Sequence, residues 1–222
     1  MAGGAGDGEA AKTGRRIRGL DAQERRARRR DDLLDAALEL FSAQGYQDTS
    51  IEQICKHAFV GTKSFYEVFT GKEAAYLALL DRIAADATGR LSTVLDAVSV
   101  GGADAREAAR VLVRGFADAF VEDVRVARVA FGEGRAVTPL AEAQRRANRR
   151  AAASFVETVW HRLGAAPGPH LHVVALGLIG GLFEIIADWL LDADTARPEE
   201  RAALQRGLDR FYTAVSSGLV VN

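Results

Sequence analysis

LLDAALELFSAQGYQDTSIEQICKHAFVGTKSFYEVFTGKEAAYLALL, residues 33–80, is the stretch on which the reading of the fold turns. Leu33, Leu34, Ala37, Leu38 and Phe41 recur at the three- and four-residue spacing of one helical face, which predicts a helix from about Arg28 to Gln44. Gly45 is the residue expected just past its end. Tyr46 and Asp48 lead into a new start, where Thr49 or Ser50 caps a short helix bearing Ile51, Ile54, Cys55 and Ala58. After a tight turn comes a second short helix with Phe65, Tyr66 and Phe69, broken at Thr70 and Gly71. Lys72 and Glu73 open a longer helix lined by Leu77, Leu80, Ile83 and Ala84. Two short helices joined by a tight turn and preceded by a third form a helix-turn-helix arrangement. Its second helix fits a DNA major groove about 12 Å wide.

Outward from this stretch, helical spacings continue almost without interruption and no alternating strand pattern persists, so the chain reads as all-α with about nine helices. Breaks fall near 100–103, 132–137, 163–169 and 191–198, with Thr138 and Thr195 as cap candidates before Pro139 and Pro198. The 222 residues are 48% hydrophobic and 27% charged, a globular composition large enough for a substantial core. The single cysteine, Cys55, excludes an internal disulfide framework and suits a reducing cytosol. At the contact of two short helices it reads as a compact apolar filler rather than a nucleophile. His161, His170 and His172 have no metal-ligand spacing, and no phosphate loop or nucleophile with a placed base is present. The expectation is therefore no enzyme, no metal and no cofactor. Val173 to Leu191 is apolar enough to be weighed as a membrane span, but Glu184 and Asp188 favour a buried amphipathic helix, and no membrane partner is expected.

The net charge of −1 is unevenly placed, because the first thirty residues hold nine bases against four acids. A basic head on an acidic body is either a phosphate-touching arm or a solvated tail. The chain divides into a basic flexible arm at 1–27, a helix-turn-helix domain at 28–88 and a larger helical domain at 89–222.

Residues 33–80 resemble the DNA-binding domain of the TetR family of bacterial transcriptional regulators. The resemblance is carried by Ala37, Leu40 and Phe41, the Gly45–Tyr46 exit, Thr49-Ser50-Ile51, Ile54, and the frame of Tyr66, Phe69 and Lys72. It implies that Thr49 and Ser50 meet phosphate, that Thr62, Lys63 and Ser64 read bases or grip phosphate, and that Tyr66 and Lys72 reach the DNA backbone. Two positions depart from the family pattern. Phe59 stands where the turn usually has glycine, so either it adopts an unusual backbone angle or the turn is built differently. Val68 stands where a histidine is usual before Phe69.

The resemblance also implies that the larger domain forms a homodimer on a palindromic double-stranded operator and holds a small organic effector. Pocket candidates are Phe116, Phe120, Phe131, Phe155, Trp160 and Trp189. Dimer-interface candidates lie on the last two helices: Gly177, Leu178, Gly181, Leu182, Ile185, Phe211 and Val215, with Gly180 and Trp189 beside them. Glu184 and Asp188 share a face suited to arginines of the last helix or of a partner subunit. The expected function is that of a cytoplasmic repressor released by its effector. The alternatives are an activator, a ligand-independent regulator, or a helical interaction protein that has lost DNA reading.

Overall fold

The apolar face around Leu33 seeds the fold. The protein is described by a computed structural model covering residues 8–101, 105–131, 138–162, 168, 170–195 and 197–217, and every regular element among these described residues is a helix. In α1 (Gly8–Gln44), Leu33, Leu34, Ala37, Leu38 and Phe41 are all buried, and the chain leaves the helix through Gly45 at φ +80°, a left-handed conformation that glycine adopts without strain. The helix begins at Gly8 rather than near Arg28, so the segment expected to be a flexible arm is helical from Gly8 onward. Residues 8–27 are rich in Ala, Arg, Glu and Gln and lack proline, which favours a helix, yet they carry no apolar face for periodicity to detect. The first seven residues lie outside the described part.

Helices α2 (Ile51–His57) and α3 (Thr62–Tyr66) follow, and α4 (Lys72–Gly101) runs unbroken through the boundary drawn near residue 88. The N-terminal half of α4 packs Tyr76, Leu79, Leu80 and Ile83 into the core it shares with α1. Its C-terminal half carries Leu91 and Leu95 into the larger domain. That domain consists of α5 (Ala105–Val121), α6 (Val124–Phe131), α7 (Pro139–Arg162), α8 (Leu171–Asp192) and α9 (Pro198–Ser216). The Thr138 hydroxyl accepts the Ala141 N–H at 3.1 Å, the cap expected for α7. At α9 the cap is Arg197 rather than Thr195, whose carbonyl instead accepts from Arg201 Nε at 3.0 Å, and Pro198 opens the helix. Helix α8 is long and apolar enough to cross a membrane, but it packs among α6, α7 and α9 and buries Leu171, Ala175, Leu178, Ile179, Leu182 and Ile186.

Polar bonds stitch the two domains where α6 and α7 meet α1 and α4. Arg125 of α6 reaches Glu39 of α1 at 2.6 Å and Asp123 at 2.7 Å. Its hydrogen bonds hold the Asp123 carboxyl below its ordinary pKa, and the two carboxylates raise that of the guanidinium. Arg145 of α7, itself buried, donates to the Tyr76 hydroxyl at 2.7 Å and to the Val129 carbonyl at 3.1 Å. A shift of α7 or α6 is therefore felt directly by the helices that carry the N-terminal domain.

Candidate DNA-binding and effector sites

Cap chemistry sets the position of α2. Ser50 is its N-cap: the hydroxyl accepts the Gln53 N–H at 3.1 Å, and the Gln53 side chain accepts the Ser50 N–H at 2.7 Å, a reciprocal capping box. Thr49 has a different place from the one the resemblance implies. Its side chain is 1% exposed, and its hydroxyl donates to the Gly45 carbonyl at 2.7 Å while accepting from Gln44 at 3.2 Å. It closes the loop between α1 and α2. Lys72 is likewise turned inward. Its Nζ donates to the carbonyls of Tyr46, Gln47 and Thr49 at 2.8, 3.3 and 2.7 Å and lies 4.3 Å from the Tyr46 ring centroid. Three carbonyls occupy the three ammonium protons, so Lys72 clasps the loop that leads into α2.

Between the two short helices, Phe59 takes φ +54°, the first of the two alternatives at that position: phenylalanine stands in the left-handed region. The side chain is 98% exposed and so offsets little of the strain. Phe59→Gly is expected to raise stability by about 0.5–1 kcal/mol, the relief of left-handed strain outweighing the added freedom of the unfolded chain. Urea unfolding checks this; a loss of stability would show that the ring contributes packing.

Helix α3 has one buried residue, Phe65, which is fully covered and packs against Phe69 (centroids 5.6 Å apart) and Tyr66 (5.5 Å). Phe69 itself lies beyond the end of α3, not within it, and is buried. Val68 is half-buried against the same core. Thr62, Lys63 and Tyr66 are exposed and Ser64 is half-buried, so the structure brings these four candidates together on one short helix presented to solvent. Cys55 is 4% exposed, and burial pushes its thiol pKa up, as befits a filler rather than a nucleophile. Sequence reasoning missed one feature of this site: Arg29 of α1 contacts the Glu67 carboxylate at 3.0 Å and Arg26 donates to the Glu67 carbonyl at 2.9 Å, just past the end of α3.

In the larger domain a cavity of ≈ 510 Å³ opens between α4, α5, α7, α8 and α9. Phe116, Phe120, Phe155 and Trp160 line it. Phe131 lines a neighbouring cavity of ≈ 120 Å³, and Trp189 lines neither, since it lies nearer the C-terminal end of α8 than the cavity-lining Ile179 and Phe183. Phe183, which the sequence did not single out, stacks on Phe116 with centroids 5.8 Å apart and borders both cavities. Tyr212 completes the wall, its hydroxyl accepting from Trp160 Nε1 at 3.0 Å, and burial raises the pKa of this phenol. Among the described residues no charged side chain borders the larger cavity; Thr88, Asn148 and Tyr212 are polar neighbours.

Four of the interface candidates are engaged inside the chain. Leu178 and Leu182 are buried and border the cavity. Gly181 receives the Phe211 ring, for a Cβ there would lie 2.3 Å from Phe211 Cζ, so this pair is an α8–α9 crossing within one chain. Ile185 and Val215 are half-buried, whereas Gly177 is exposed with open space beside it. The outer face of α8 instead shows Val173 (67% exposed), Leu176 (37%) and Leu191 (58%).

A capped helix, a tight turn and a short exposed helix on a three-helix core define a helix-turn-helix DNA-binding regulator rather than an enzyme. Residues 33–79 match the model of bacterial regulatory proteins of the tetR family, which places this segment among the DNA-binding domains of that family. It is 41% identical over 66 residues to the HTH-type transcriptional regulator TcmR of Streptomyces glaucescens, a match that spans 29% of each protein. With the HTH-type transcriptional activator FasR of Mycolicibacterium smegmatis it shares 26% identity over 186 residues, 84% of this chain and 82% of the other. The whole fold recurs in a TetR-family transcriptional regulator from Pectobacterium atrosepticum, with a TM-score of 0.65 and 21% identity over 91% of this chain and 97% of that one.

Proposed function

We propose that this regulator is a homodimeric repressor in the bacterial cytoplasm, that it occupies a palindromic operator through α3 of each protomer, and that a small apolar molecule entering the ≈ 510 Å³ cavity releases it. The observation that carries the reading is the shared helix: α4 supplies Ala84, Ala87, Thr88 and Leu91 to the cavity wall and Tyr76 and Lys72 to the N-terminal domain. An effector that fits better when α4 is displaced shifts the population toward a state with misplaced reading helices. A coupling of about 1–3 kcal/mol suffices for a 5- to 150-fold change in operator affinity. Because no charged group among the described residues borders the cavity, a neutral buried portion of the effector fits it best; an ion there would lose its hydration without a partner among them.

Dimerisation is supported by two adjacent helical faces. The outer side of α8 carries Val173, Leu176, Gly177 and Leu191, and that of α9 carries the exposed Ala203, Gly207 and Ala214. Small residues permit close helix approach, and Arg206 and Arg210 on α9 complement Glu184 and Asp188 on α8. The test is a screen of neutral apolar compounds by thermal shift, followed by release of operator DNA and by sedimentation of the free protein. Stabilising compounds that also release DNA from a dimer support the reading; compounds that stabilise without changing DNA binding contradict effector control. Within the DNA site, Lys63→Ala is expected to weaken operator binding about 10- to 100-fold and relax preference at one base position.

The activator reading has one specific support, the extended similarity to a protein named as an activator. A promoter fusion separates the two: deletion of the regulator raises expression under repression and lowers it under activation.

A further inference from the structure

Residues 22–28 of α1 are exposed, yet the helix continues N-terminally to Gly8, some twenty residues beyond Arg28 and about 30 Å in length. Residues 8–30 hold nine bases, Lys12, Arg15, Arg16, Arg18, Arg25, Arg26, Arg28, Arg29 and Arg30, against Glu9, Asp21 and Glu24. A helix of this charge has no apolar stripe to bury, and its like charges repel, so it is matched to a polyanion rather than to another helix. Its root is fixed. Arg26 and Arg29 hold Glu67 at 2.9 and 3.0 Å, and the Arg30 guanidinium lies 5.7 Å from the Phe69 ring centroid, so α1 is anchored beside the C-terminal end of α3. These bonds use Arg26 and Arg29 as a latch. Lys12, Arg15, Arg16 and Arg18 lie further toward the N-terminus of the same helix, which is continuous from Gly8.

We propose that the N-terminal extension of α1 is a second DNA-contacting element, a basic helix latched to α3 through Glu67 that grips phosphates flanking each half-site without reading their sequence. The proposal rests on the DNA-binding reading and adds to it a contact made outside the helix-turn-helix. Such an element lets a chain whose overall charge is −1 bind a polyanion, because the positive charge is concentrated in one segment.

Two variants test it, a chain beginning at residue 22 and the full chain with Lys12→Gln, Arg15→Gln, Arg16→Gln and Arg18→Gln, glutamine keeping helix propensity while removing charge. Binding is measured as a function of salt on a duplex selected from random sequence by the full chain. The duplex is used in two lengths, trimmed to the protected half-sites and extended by about one helical turn on each side. Circular dichroism confirms that both variants remain folded. The extension accounts for a gain of about tenfold or more on the longer duplex, which both variants lose, and for a salt dependence whose logarithmic slope falls by about 0.9 per phosphate contact removed. Equal slopes for variants and parent, or a parent indifferent to duplex length, overturn the proposal. If the full chain selects no site, the operator reading fails by itself; the extension is then judged by the same slopes on unselected duplex, and absence of any DNA binding overturns both.

Discussion

Phe65→Ala is expected to abolish operator binding and to lower stability by about 3–5 kcal/mol, the usual cost of emptying a fully buried phenylalanine site. The effect on DNA binding is larger than that of any change at a DNA-facing residue, for a physical reason. Helix α3 has five residues, far below the length at which a helix is stable by itself, so its conformation comes from docking. Phe65 is its single buried residue, held between Phe69 and Tyr66. Without the ring, Thr62, Lys63 and Ser64 lose their fixed angle to α2, and a groove-reading helix is useful only at a fixed angle. Urea unfolding and gel-shift titration check both parts. A variant that binds the operator as tightly as the parent would show that α3 is positioned by something other than its core contact.

The second large effect lies at the other end of the molecule. Trp160→Ala is expected to cost about 3–5 kcal/mol, because the indole is fully buried and closes the wall of the cavity. It also removes the donor to Tyr212, the bond that joins α7 to α9 beneath the cavity. Trp160→Phe keeps most of the packing and loses only that hydrogen bond, an expected cost of about 1 kcal/mol from the bond itself. Neither change touches the DNA-binding domain, so the folded fraction keeps its operator affinity while its response to effector is lost or altered. Thermal unfolding with and without effector measures this. A Trp160→Ala protein with unchanged stability and unchanged effector response would remove the cavity from the account.

What the sequence disclosed follows from the range of the forces involved. The buried face of α1, the left-handed exit at Gly45 and the Ser50 cap are local, being set by residues within one or two turns, and periodicity and cap chemistry find them. The inward positions of Thr49 and Lys72 depend on partners in another element: the ammonium group is satisfied by carbonyls 23 to 26 residues away in the chain. No local pattern shows that a lysine is held by carbonyls so far away in the chain. The extension of α1 was hidden for the opposite reason, since a helix that buries nothing leaves no apolar period. In the larger domain, helical spacing shows which aromatics are inward but not which of several inward faces they share, and this is why Phe131 and Trp189 were grouped with the cavity that Phe183 in fact borders. Gly181 was legible as a close approach, while its partner, Phe211 of the same chain, was not.

The central claim is that a symmetric pair of α3 helices reads DNA, and footprinting tests it most directly. The purified protein is placed on the DNA upstream of its own gene at two salt concentrations. The account predicts protection of a two-fold symmetric site whose half-site centres lie about 34 Å or a multiple of that apart, weakening steeply as salt rises. Diffuse protection with no symmetric centre, on this DNA and on duplexes selected from random sequence alike, would contradict it.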